Sequence, residues 1–354
     1  MMPDRANRSF LALTAIAVLV SAFSLWGGMA GVLEPMLRMR VSNGRGVATV
    51  VAMLLVTSLA VVAASGTALA CHTLARQTLA SVKLSRRVRA LRAPLPDRLA
   101  AAADATGLRG RVVLVEASPP FSYAYRVLSP RVVVSRGLLE ALCDQELYAV
   151  LEHERYHVVN IDPLKLTIVR TICSAMFMLP ALGALQRSYL AGRELAADRR
   201  AVAMCGRTAL TAALLKIVHP AEGEELGVGA AIGGMALLGV RIRQLETGQE
   251  PRLRLITSTK LAASSLVLGG LAATFLAAVW ALGGSASSTH ATGTGLATAF
   301  LLGGISCAVP FAVVGLLGYT AIALRARRPL RASGARPPER AGLPGGNPPA
   351  EDGR

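Results

Sequence analysis

The stretch Leu147-Tyr148-Ala149-Val150-Leu151-Glu152-His153-Glu154-Arg155-Tyr156-His157-Val158-Val159 decides how the rest of the chain is read. Leu147, Val150 and Leu151 recur at helical spacing, and the segment Leu138 to Val159 reads as a helix with one apolar face. On a helix, positions i and i+4 stand one turn apart on the same side, so the His153 and His157 imidazoles reach toward a single ion. Glu154 is turned about 100° from His153, which sets its carboxylate beside the water to be activated and outside the ligand set. With five histidines in the whole chain, an accidental H-E-x-x-H arises on the order of a few times per thousand such sequences, so coincidence explains it poorly.

Downstream, Arg193-Glu194-Leu195-Ala196-Ala197-Asp198 places two acids at i and i+4 on what the pattern predicts to be one helical face. Glu194 completes a His₂Glu set, and a catalytic zinc keeps three protein ligands with a fourth position for water, so one Zn²⁺ per chain is expected. Asp198 is placed to accept the free N–H of a ligating histidine and fix its tautomer; the plainer reading is a salt bridge near Arg199 or Arg200. The chemistry this predicts is metal-assisted peptide hydrolysis, with Glu154 taking a proton from water and delivering it to the leaving amine. His219, Arg241 and Arg243 are the candidate oxyanion donors, set against their reading as a surface histidine and flanking charges. Val132, Val133 and Val134 read as a strand that either offers its edge to an extended substrate or lies in the core.

The surroundings are apolar: hydrophobic residues make up 53% of 354 and the mean hydropathy is +0.49, too high for an ordinary soluble domain. A net charge of +17 raises nucleic-acid binding. The arginines, however, lie in short blocks beside apolar runs (Arg86, Arg87, Arg89 and Arg92; Arg325, Arg327, Arg328 and Arg331), as cytoplasmic flanks of membrane helices do, so no direct nucleic-acid contact is expected. Runs at 10–33, 47–70, 261–283 and 296–323 each meet the ~20 residues a bilayer-crossing helix needs. The first reads as an uncleaved anchor, its apolar stretch being long for a signal peptide. The five cysteines show no C-x-x-C spacing, which argues against a disulfide framework or a thiolate zinc site.

Basic residues crowd 71–98 far more than 34–46, which puts the catalytic domain and both termini on the cytoplasmic side of a plasma membrane. The expected fold class is a mainly α membrane protein with four transmembrane helices and a cytoplasmic α+β zincin-like metallopeptidase domain. Residues 1–80 form an N-terminal two-helix anchor, 81–256 the catalytic domain, 257–324 a C-terminal two-helix membrane region and 325–354 a disordered basic tail rich in Pro and Gly. Inside the catalytic domain the apolar run 164–186 looks like a further span. Yet His157 and Glu194 must meet on one side of the membrane, and twenty-three residues cross at most once, so a non-spanning helix or broken hairpin is predicted.

Over roughly residues 110 to 205 the chain resembles the BlaR/MecR-type antirepressor metallopeptidases, gluzincins related to the HtpX and CAAX-protease group. The likeness rests on Pro130-Arg131-Val132-Val133-Val134-Ser135-Arg136-Gly137-Leu138-Leu139, on His153-Glu154-Arg155-Tyr156-His157 with Asp162 following, and on Arg193 to Asp198. It implies His153, His157 and Glu194 as metal ligands, Glu154 as catalytic base and Asp198 as the partner behind a ligand. It also implies a polypeptide substrate, with a transcriptional repressor as one target, in a regulatory or quality-control role. No penicillin-binding domain follows the last run, so β-lactam sensing is not implied. The rival is a membrane signalling receptor with a non-catalytic zinc site. A transporter would need ionisable residues inside the spans, which the runs lack.

Overall fold

The computed structural model describes residues 6–16, 47–217, 231–249, 251 and 257–283, and their architecture is mainly helical with one small mixed sheet. After a short N-terminal helix, α1 (residues 6–16), comes α2 (Val47–Ala90), a 44-residue rod about 66 Å long at 1.5 Å per residue. Arg87 and Arg89 close its last turn, where the carbonyl end of a helix favours positive charge. Then follow β1 (Arg92–Ala93), α3 (Asp97–Ala105), β2 (Val112–Val115), β3 (Ser122–Tyr125), β4 (Arg131–Ser135), α4 (Arg136–Ala141) and α5 (Asp144–Val159).

The sheet runs in the order β1-β2-β4-β3, with β2 and β4 parallel and both outer pairs antiparallel. Its central strands are unbroken apolar runs because both faces are covered. Leu114, Val132 and Val134 pack with Leu99 of α3 and with Leu147, Val150 and Leu151 of α5. Val113, Val115 and Val133 pack on the other side with Val88 near the end of α2. Each such fully buried aliphatic side chain is worth about 1.5–3 kcal/mol over its exposed state, and together they fix α5 to the sheet.

Two local expectations are corrected. Val132, Val133 and Val134 offer no free edge, since β4 is paired on both sides; the outer strand there is β3, with Ser122 opposite Val134. The segment Leu138 to Val159 is two helices, broken at Leu142 and Cys143, whose extended backbones separate α4 from α5. Ser135 caps α4, its Oγ accepting from Leu138 N at 3.1 Å. Cys143, one residue before Asp144, caps α5, and Glu146 Oε2 accepts from Cys143 N at 2.8 Å to close a capping box.

The 164–186 run lies in a helical hairpin: α6 (Asp162–Ala175), a turn over 176–179, and α7 (Pro180–Cys205). Helices α8 (Arg207–Ile217), α9 (Ala231–Thr247) and α10 (Ser258–Gly283) complete the described chain. The hairpin is gripped from several sides. Ala6 of α1 packs on Gly192, and the Phe10 and Tyr189 rings lie 6.0 Å apart. Gly66 of α2 admits the Ala175 carbonyl where any Cβ would collide with it, and Thr73 Oγ1 donates to Ser174 Oγ at 2.8 Å. Ser264 Oγ of α10 accepts from Ala181 N at 3.0 Å, satisfying one of the amides that the first turn of α7 leaves open.

Among the described residues one helical stretch, Thr57–Ala90 of α2, is long and apolar enough to cross a membrane, and it overlaps the expected span 47–70. The four-span expectation is therefore met by one candidate. The 261–283 run forms most of α10. Of the 10–33 run only residues 10–16 are described, and both 296–323 and the 325–354 tail lie outside the described residues.

Candidate active site

Helix α5 turns Leu147, Val150 and Leu151 toward the sheet, which leaves His153 and His157 to face α7. There they meet Glu194: the three side chains each offer a ligand atom, all within 4.8 Å of one another. His153 Nε2 and His157 Nε2 are 3.3 Å apart. Glu194 Oε2 lies 3.5 Å from the first and Glu194 Oε1 3.8 Å from the second.

Carboxylates hold the far side of each ring. His157 Nδ1 donates to Asp162 Oδ2 at 2.6 Å. His153 Nδ1 lies 2.9 Å from Asp198 Oδ1. With both Nδ1 atoms turned to acids, both Nε2 lone pairs face the same point, the tautomer a metal ligand needs. The donor set thus fits a zinc ion. The plainer reading of Asp198 is not what forms: its carboxylate pairs with Arg241, while Arg200 reaches Glu152 at 3.3 Å.

Asp162 reaches His157 because the chain reverses at Ile161, whose φ of 54° is a left-handed conformation that a β-branched residue rarely adopts. The sequence ties Asp162 to the site only through the family likeness. Ser122 was missed altogether. Its Oγ, on the outer strand β3, donates to Glu154 Oε1 at 3.0 Å. Glu154 Oε2 is buried and has no hydrogen-bond partner. A hydroxyl in a strand thirty-two residues before its partner carries no local signal.

Electrostatics follow from this crowding. Before a cation binds, burial would raise Glu194, but His157, Arg193, His153 and Arg241 hold it well below the usual carboxylate range. Burial likewise opposes ionisation of Asp198, and Arg241 and His153 outweigh it. Burial lowers His153, yet the Asp198 and Glu194 carboxylates push it up to about 9. Of the other sequence candidates, Arg241 arrives at the site with its fork on Asp198, Arg243 is exposed, and His219 lies outside the described residues.

Two histidines and a glutamate converging on one point are the ligand set of a catalytic zinc centre, and with a second glutamate beside them the class is that of zinc-dependent peptidases. The profile of peptidase family M48 matches residues 92–292, more than half of the chain, and the chain belongs to that family. It is a zinc metalloendopeptidase whose metal site is His153, His157 and Glu194. This match is coarser than the antirepressor type that the motifs resemble. No solved structure matches the chain.

Proposed function

We propose that this peptidase works from within the plasma membrane, as a multi-pass protein with its catalytic domain and both termini in the cytoplasm. It cuts cytoplasmic or membrane-proximal polypeptides, in a regulatory role of the antirepressor kind, with a transcriptional repressor as one target, or in quality control. One observation carries the assignment of its base: Glu154 has one oxygen pinned by Ser122 and the other buried without a partner, one residue from the ligand His153.

Zinc bound at this centre lowers the pKa of water toward about 7 and polarises the scissile carbonyl. The protein's own groups do the rest. Glu154 Oε2 accepts the proton that water gives up and returns it to the leaving nitrogen. Ser122 keeps the other oxygen from turning toward that task. Asp162 and Asp198 hold the two imidazoles in their ligating tautomer. Among the described residues β3 has a strand on one side only, so an extended substrate can pair along its free edge and bring its backbone past Ser122 to Glu154.

The hairpin supports a membrane-proximal substrate. Its turn exposes Phe177 and Met178 beside the part of α2 from Gly66 to Thr73, inside the candidate span. From Pro180 to Glu194 is fourteen residues of α7, about 20 Å, so the catalytic centre lies no farther than that from the apolar layer. This carries forward the non-spanning hairpin expected over 164–186.

Glu154→Gln tests the reading. Zinc should remain stoichiometric while cleavage falls by about 100-fold or more, and native substrates should accumulate when membranes from cells with either form are compared. Cleavage retained at the native rate would remove Glu154 from the mechanism. Undiminished cellular signalling by a zinc-loaded, inactive variant would favour the receptor alternative.

A further inference from the structure

Arg241 stands on α9, a helix that supplies no metal ligand. Its Nε and Nη2 donate to Asp198 Oδ2 and Oδ1, both at 2.7 Å, while Nη1 lies 3.9 Å from Glu194 Oε2. Asp198 is fully buried, and the oxygen that meets Nη2 also lies 2.9 Å from His153 Nδ1. One turn further along α9, Gln244 Nε2 donates to Leu195 O at 2.9 Å, so α9 is fastened to α7 at two points within the segment that carries the site's acids.

A buried carboxylate facing only an imidazole is free to rotate about its own Cβ–Cγ bond, and the direction in which it holds the ring would rotate with it. Two parallel charge-assisted bonds to a planar fork remove that freedom and offset the burial of the charge. The fork commits Nε and Nη2 to Asp198 and turns Nη1 toward Glu194 Oε2, so the guanidinium is oriented by the site's two acids. We propose that Arg241 is a positioning residue of the zinc site: by clamping Asp198 it sets the ring of His153, so metal affinity and coordination geometry depend on a residue that is not a ligand. This replaces the oxyanion role expected from sequence, and it rests on the zinc site rather than on any choice of substrate.

The test uses the full-length protein in detergent, with Arg241→Lys, Asp198→Asn and the double variant. Lysine keeps charge and bulk but cannot form the fork, so it separates clamping from mere neutralisation. Zinc affinity is measured by chelator competition, and coordination by the visible absorption of the Co²⁺-substituted protein. Arg241→Lys is expected to weaken zinc binding by about 10-fold and to shift the cobalt bands. Adding it to Asp198→Asn should weaken binding no further, since the arginine acts through that carboxylate. Three results would overturn the proposal: additive losses in the double variant, a fall in kcat with affinity and cobalt spectrum unchanged (an oxyanion donor), or no change in any readout. Arg241→Gln serves as a second variant, with circular dichroism confirming the fold of each protein.

Discussion

His153 carries the sharpest pH consequence. Its pKa of about 9 before metal binds means that zinc must displace a proton from it across the neutral range. Apparent zinc affinity should therefore rise about tenfold per pH unit below 9 and level off above it, since Glu194 is already ionised throughout. Competition with a calibrated chelator from pH 6 to 10 measures the slope, and a flat profile would refute this sign. Ser122 is the second residue to test. Ser122→Ala should lower kcat about tenfold with zinc content and KM little changed, the loss of one hydrogen bond to a charged group, and Ser122→Thr should restore most of it. The histidine pair was legible because its geometry is local to one helix. Glu194 was legible through its one-turn spacing to Asp198. Ser122 and Arg241's true partner were not, because strand order and the docking of α9 bring them in from a distance.

At the scale of elements, the register of α5 fixes where its histidines point, and that register begins at the capping box. Glu146 Oε2 accepts from Cys143 N and pairs with Lys216 Nζ of α8 at 2.6 Å. Burial alone would raise the Glu146 pKa, but Lys216 and the Cys143 amide hold it below the usual carboxylate range. The sign follows: the stabilisation is fully present above the ordinary glutamate pKa and is lost as pH falls through the lowered one. Glu146→Gln should cost about 1 kcal/mol near neutrality and make the melting temperature less sensitive to acid, by thermal denaturation at pH 7 and pH 4. An unchanged melting curve at both pH values would count against the box. The valine strands were visible as apolar runs, yet which of them sits at an edge was not. A run buried on both faces looks the same in sequence whether one side or both sides are hydrogen-bonded.

For the molecule as a whole, the proposal of membrane-proximal cutting rests on the hairpin. A nitroxide placed by Phe177→Cys in vesicle-reconstituted protein should collide readily with lipid-soluble oxygen and poorly with a water-soluble nickel chelate. The opposite ranking would take the turn out of the bilayer and with it the membrane-proximal substrate. Residues 164–186 form parts of two helices, α6 and α7, joined by a turn, an arrangement compatible with the non-spanning hairpin proposed above. The number of spans was less legible, because apolar runs alone say nothing about which of them pack together.

Helix α1 meets the hairpin at Gly192, two residues before the ligand Glu194, with Ala6 buried in the contact. Residues two apart on a helix point about 200° apart, so Ala6 braces the face of α7 opposite the one that presents Glu194. Since any added Cβ at Gly192 would press on Ala6, a bulkier residue at either position would push the ligand-bearing helix from behind and disturb the metal centre without touching it.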